Sequence, residues 1–360
     1  MSQPGNATDN DLNDIKIRHS LILDIAKTEY GQVPVLLTAL LDDVGGLYRG
    51  EWESHEACQT GYHNLGHAID VALLTARMIA GWNRLQNKAH PKISEELFLT
   101  ALASAMFHDA GYIKEKGDQL GTGGKFSFNH EDRSMVMATA YLNSHAWPKR
   151  SASLAPAIIS TTKFNQPLEM DNLFASREEE VIGRMVATAD LVAQMADVKY
   201  MQRINDLYAE LHEAYQFEGE ASLQERGYKI FASANEMIAG TADFYQSFVL
   251  PRLQKLGRMD QYLVSFFGAG RNPYLENIMA NLSGQLLDKH SRWRRLGDIL
   301  EDLGLVTKEE IASALQVQKS SRTAKTVKKK TAGLTLRERL LFWMEGNQFD
   351  ERCLGELLMD

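Results

Sequence analysis

An all-α fold is what the sequence predicts, and three observations predict it. Apolar residues recur at spacings of three and four, as in Val71, Leu74 and Met78 and again in Leu97, Ala101 and Ala105, which places them on one side of a helix. Runs that alternate apolar and polar residues, the mark of a half-buried strand, are scarce. Candidate helix starts carry a hydroxyl and a Glu three residues apart, which satisfy each other's free amides: Ser176 with Glu179, Ser222 with Glu225, and Thr307 with Glu310.

The helices are punctuated at Gly61, at Gly111, at Gly121 to Gly124, at Pro148, at Pro167 and around Gly268 to Pro273. The chain has 360 residues, 44% of them hydrophobic and 24% charged, enough to bury a sizeable core. Two domains are expected, one over 1–290 and a small helical module over 291–360, with the boundary near Ser291. Within that module, 320–333 (SSRTAKTVKKKTAG) is polar, basic and aperiodic, and reads as a flexible linker.

A net charge of −8 argues against nucleic acid and against an anionic membrane as partners, because both demand clustered Lys and Arg. An anionic substrate stays open if a metal supplies the local positive charge. The N-terminus is polar and acidic, unlike a signal peptide, no apolar run approaches the ~20 residues that cross a bilayer, and the expected location is cytoplasmic. Only Cys58 and Cys353 are present, so free thiols are expected in place of a disulfide framework.

Three short motifs carry the chemistry. In Tyr62-His63-Asn64-x-x-His67, a separation of four is expected to set both imidazoles on one face of a helix, one turn apart. Ala105-Met106-Phe107-His108-Asp109 ends an apolar helical run in two titratable groups, which are costly to bury unless paired or bound to a cation. Ala187-Thr188-Ala189-Asp190-Leu191 sets one carboxylate in a small, apolar helical stretch, where it must shift its pKa or find a cation. Together His67, His108, Asp109 and Asp190 form an imidazole and carboxylate set suited to Zn²⁺, Mn²⁺ or Fe²⁺, or to one such ion beside Mg²⁺.

The order His-Asn-x-x-His, His-Asp, Ala-Asp-Leu resembles the catalytic domain of class I cyclic-nucleotide phosphodiesterases, a branch of the HD superfamily of metal-dependent phosphohydrolases, over roughly residues 60 to 255. The resemblance implies a helical bundle holding two divalent ions, with Asp109 bridging them and His67, His108 and Asp190 completing the tighter site. It also implies His63 as general acid and a cyclic nucleotide as substrate, hydrolysed to the nucleoside monophosphate. Phe244-Tyr245-Gln246-Ser247-Phe248-Val249-Leu250-Pro251 resembles the helix of that family whose Phe stacks on the purine, which makes Phe244 the matching position. Thr241 and Asn64 are the accompanying candidate substrate contacts. Thr241 stands where the family has the Gln that reads the purine edge, and Ala193 where many members have Asn, so base recognition is altered. Another nucleotide, a cyclic dinucleotide, or a non-catalytic sensor stay as alternatives. His130 opens Asn129-His130-Glu131-Asp132-Arg133-Ser134, similar to an element of bacterial HD proteins, and is the candidate for the second ion.

Arg295-Leu296-Gly297, Gly304-Leu305 and Leu315-x-x-Gln318 resemble one repeat of the N-terminal domain of type II secretion and pilus ATPases, some of which bind cyclic di-GMP. The resemblance implies Arg295, Leu296, Gly297, Gly304 and Gln318 as contacts to a regulatory cyclic di-GMP. Only one full repeat is present. Either a second subunit completes the paired site, in a homodimer, or the segment docks helices.

Overall fold

The computed structural model describes residues 9–85, 90–164, 170, 172–268, 270–289, 307 and 309. Their order is α1 (Asp9–Tyr30), α2 (Val35–Tyr48), α3 (Leu65–Asn83), α4 (Glu95–Phe107), α5 (His130–Ser144), α6 (Lys149–Ser160) and α7 (Arg177–Ala196). There follow α8 (Tyr200–Glu218), α9 (Glu220–Glu225), α10 (Ala234–Ala239), α11 (Thr241–Phe244), α12 (Leu250–Lys255), α13 (Tyr262–Phe267) and α14 (Pro273–Lys289). Among the described residues there is no strand, and one isolated bridge joins His55 to Glu115. The fold is all-α, as the helical periodicity predicts.

Three of these helices form the centre. α4 starts where Ser94 accepts the Leu97 N–H at 3.2 Å, and Glu95 and Glu96 in its first turn suit the positive end of the helix dipole. From Phe98 to Phe107 every residue is buried, because the sequence there is apolar or small on all sides and has no face to offer water. α3 is buried along almost its whole length for the same reason, and packs against α1, α4, α7 and α13. α7 begins at Ser176, whose hydroxyl accepts the Glu179 N–H at 3.2 Å, and is buried from Val181 to Ala193 apart from Arg184. α5 and α6 pack on each other, and both lie against α4.

α8 is attached differently. Only Tyr200, Ile204, Ala214 and Tyr215 among its apolar residues are buried, and it lies against α10 and a 3-10 turn at Gly124–Phe126. α11 runs into α12 through a π-helical turn at Tyr245–Val249.

The Ser176 cap forms, but the Glu179 carboxylate accepts from the Ala175 N–H at 2.9 Å and pairs with Arg150 in place of closing back on Ser176. Ser222 does not start a helix. The break falls earlier, at Gly219, whose φ of 84° only glycine adopts freely, so α9 begins at Glu220 and Ser222 lies inside it. Glu310 lies outside the described residues, as do Cys353, the linker at 320–333, and Arg295, Leu296, Gly297, Gly304 and Gln318 of the 291–360 module. No described helix is long and apolar enough to cross a membrane.

Candidate metal centre

The three central helices each deliver ligand-type side chains to one point. α3 is capped by Asn64, whose Oδ1 accepts the His67 N–H at 3.3 Å, so His67 sits in the first turn. α4 ends at Phe107, and His108 follows as its C-cap with Asp109 beyond. The His108 Nδ1–H donates to the Ala105 carbonyl at 2.7 Å, so that Nε2 is the nitrogen aimed at the cluster and carries the lone pair whenever the ring is neutral. The chain then turns tightly at Gly111, where a Cβ would lie 1.9 Å from the His130 carbonyl oxygen. That close approach brings the start of α5 against Asp109. Asp190 arrives from the buried stretch of α7.

Four atoms converge. His67 Nε2 lies 3.2 Å from Asp190 Oδ1 and 3.5 Å from Asp109 Oδ2; His108 Nε2 lies 3.0 Å from Asp109 Oδ2 and 3.5 Å from Asp190 Oδ1. Donors ~2.0–2.2 Å from one ion stand roughly 3.0–3.5 Å apart at octahedral and tetrahedral angles, so this spacing suits a shared cation. His108 Nε2 and Asp109 Oδ2 are buried and make no hydrogen bond, an arrangement that is expensive unless something charged lies between them. His67, His108 and Asp109 thus form a buried group that can hold a metal ion. The second oxygen of Asp109 faces outward from this quartet, with Oδ1 3.3 Å from His130 Nε2.

The electrostatics agree with a site built for positive charge. Burial would push the His108 imidazole toward neutrality, but the Asp109 and Asp190 carboxylates, 3.0 and 3.5 Å from its Nε2, hold it well above its ordinary range. Burial would likewise raise Asp109, yet the charges of His108 and His63 keep it well below the usual carboxylate range. Asp190 is pushed down to about 2, against its own burial, by the close His108 and His67 imidazoles. Protons on the imidazoles and a cation among them therefore compete for the same two carboxylates.

His63 differs from its expected placement. It precedes α3, because Asn64 takes the capping position and ends helical geometry there, so His63 and His67 do not stand one turn apart on a helix. Their rings meet edge to face at 6.0 Å instead. His63 is gripped by Glu210 of α8, a residue no sequence motif marked. Glu210 is buried, and its Oε2 accepts from His63 Nδ1 at 2.5 Å, while Oε1 accepts the Tyr62 N–H at 2.6 Å and the His63 N–H at 3.3 Å. This pairing assigns the proton to Nδ1 and leaves Nε2 for other chemistry. Tyr112 lies against both His63 and His130, at 4.3 Å from each ring.

Each candidate substrate contact has partners of its own within the chain. Thr241 is buried, and its hydroxyl donates to the Met237 carbonyl at 3.2 Å. Phe244 is half-buried and stacks on Phe248 at 5.3 Å, at the edge of the π-helical turn. The Asn64 amide both caps α3 and donates to the Gly61 carbonyl at 2.7 Å. No family model matches the chain, and no curated protein matches it.

Proposed function

We propose that the chain is a metal-dependent phosphodiesterase that hydrolyses a 3′,5′-cyclic nucleotide to the nucleoside monophosphate. The observation that carries this is the pairing of two features at one place: a buried cluster in which the Nε2 atoms of His67 and His108 each lie 3.0–3.5 Å from the Asp109 and Asp190 carboxylates, and beside it an imidazole anchored at Nδ1 by a carboxylate. A purely structural metal site has no use for the second.

Two divalent ions fit this reading. His67, His108, Asp109 and Asp190 would hold one, of the Zn, Mn or Fe type, and Asp109 with His130 would reach the other, Mg or Mn. Bound there, divalent ions supply Lewis acidity, which makes water acidic enough to attack phosphorus near neutral pH and offsets phosphate charge. The protein's own step is proton delivery. His63 gives a proton from Nε2 to the departing sugar oxygen, while Glu210 retains the proton on Nδ1 and so keeps the ring in place and in register. Tyr112, flat against His63, limits its rotation.

The buried Thr241 leaves the purine edge without the polar reader this helix would be expected to present. That favours a second reading in which the substrate is another nucleotide or a cyclic dinucleotide. Metal analysis of the purified protein, followed by turnover of cyclic AMP, cyclic GMP and cyclic di-GMP with Mn²⁺ or Mg²⁺, separates the two. Absence of metal and of turnover with all three would refute both. Control by cyclic di-GMP through the C-terminal module, with or without a homodimer, is a proposal from sequence alone, and calorimetry on Arg295→Ala tests it.

A further inference from the structure

Glu213 lies three residues after Glu210 on α8, hence on the same face, and points its carboxylate into the Gly121–Lys125 loop. Glu213 Oε1 accepts the N–H groups of Thr122, Gly123 and Lys125 at 3.0, 3.2 and 3.0 Å, and Oε2 accepts the Thr122 hydroxyl at 2.7 Å. Successive backbone amides that converge on one anion form a nest, a device better known for holding phosphate. Here the chain's own carboxylate fills it. The loop is shaped for that purpose. Gly123 has a φ of 115°, and a Cβ on it would lie 2.1 Å from the Tyr112 carbonyl oxygen, so the loop is pressed between the turn after Asp109 and α8.

The nest leads directly to the metal centre. Gly124 opens the 3-10 turn, its carbonyl accepts both the N–H and the hydroxyl of Ser127 at 3.0 and 2.6 Å, and the Phe126 carbonyl accepts the Asn129 N–H at 2.9 Å. The Ser127 carbonyl then accepts from His130 Nδ1 at 3.1 Å, nearer than the Glu131 Oε2 at 3.4 Å from the same nitrogen, and His130 Nε2 faces Asp109 Oδ1 at 3.3 Å. We propose that Glu213 is a positioning residue for His130: by folding the Gly121–Lys125 loop around its carboxylate, it places the Ser127 carbonyl that fixes the His130 ring against Asp109. The role of His130 as a ligand of a second ion rests on the function proposed above; the role of Glu213 in aiming the ring does not. One helix thereby aims both halves of the site, Glu210 holding the proton donor and Glu213 the outer imidazole.

The test reads the ring first and the metal second. Imidazole ¹⁵N–¹H spectra of the metal-free full chain are compared for wild type, E213Q and Thr122→Val, with His130 and His108 assigned by their loss in His130→Ala and His108→Ala. The wild-type His130 Nδ1–H is expected to be protected from exchange by the Ser127 carbonyl. In E213Q its exchange should accelerate by about tenfold, the factor expected from losing one net hydrogen bond, while His108 Nδ1–H, bonded to Ala105, stays protected. A folded E213Q with unchanged His130 exchange overturns the proposal, and so does equal acceleration at His108, which would show general loosening. If E213Q does not fold, Thr122→Val, which removes one hydroxyl only, decides by the same two signals. A Mn²⁺ titration then tests the second ion separately: one binding event in wild type refutes that ion, and the exchange rates alone still decide the role of Glu213. Two events, with only the weaker losing about tenfold in E213Q, support both.

Discussion

The His67, His108, Asp109 and Asp190 cluster and the His63 side of the site are held by different forces. His67, His108, Asp109 and Asp190 ride on α3, α4 and α7, whose facing residues, such as Ala68, Met106, Phe107 and Ala189, are fully buried. Apolar packing of this kind depends on volume and hardly at all on charge. Tyr62, His63 and the Gly121–Lys125 loop are held instead by Glu210 and Glu213, through short, directional bonds from amides and an imidazole. Such bonds depend on ionised carboxylates. The difference teaches that one half of the site should answer to changes of size, the other to changes of charge, and substitutions can break or sharpen that division.

Asp109→Ala should have the largest effect, because it removes a ligand from the quartet and the neighbour that faces His130. Metal affinity is expected to fall more than ~100-fold, beyond the loss that follows from removing an outer partner, with turnover lost alongside it. Metal content by atomic emission checks this, and full retention of metal would detach Asp109 from the site. His63→Ala comes next. If His63 is the acid of the proposed reaction and not a ligand, turnover should fall by ~10²–10⁴-fold while metal content stays at the wild-type level. Equal metal loss in both variants would erase the distinction between the two halves. Glu210→Gln should have a smaller effect, with turnover lower by ~10–100-fold, measured with metal saturating.

On the packed side, Met106→Ala removes a fully buried side chain two residues before His108 in the chain. Equilibrium unfolding should show a loss of about 2–5 kcal/mol. A loss below ~1 kcal/mol would mean that packing around α4 is looser than the complete burial of its apolar residues implies.

These halves were also unequally legible in the sequence. The packed half announces itself: helical periodicity marks α3, α4 and α7, and charged residues inside apolar runs, at His108, Asp109 and Asp190, stand out because burial would be costly without a partner. The anchored half does not. Glu210 lies 147 residues from His63, and with Asp206 and Glu213 it reads as an acidic stripe on an amphipathic helix, which is indistinguishable from a solvated face. The one local signal was Asn64. An Asn just before a helical apolar run is an N-cap, which would have placed His63 outside α3. Gly219 similarly outweighs the Ser222–Glu225 pattern, because a residue with positive φ stops a helix more firmly than a hydroxyl starts one.

The smallest expected effect is also the one that tests the anchored half by charge alone. Burial would raise the Glu213 carboxyl above its ordinary value of 4.5, but the Thr122 amide and hydroxyl and the amides of Lys125 and Gly123 bond the ionised form and hold it lower. A carboxylate with a depressed pKa in the folded state binds fewer protons there than in the unfolded chain. Its contribution to stability is therefore complete above about pH 4.5 and is lost as pH falls through the folded value. E213Q, compared with wild type by thermal melting from pH 7 to pH 3, should show a deficit that is constant at neutral pH and shrinks on acidification below pH 4.5. The Met106→Ala deficit should stay flat across the same range, since nothing it removes titrates. Parallel curves for E213Q and wild type down to pH 3 would show that the loop is held by shape and not by charge, and the contrast between the two halves would fail at that point.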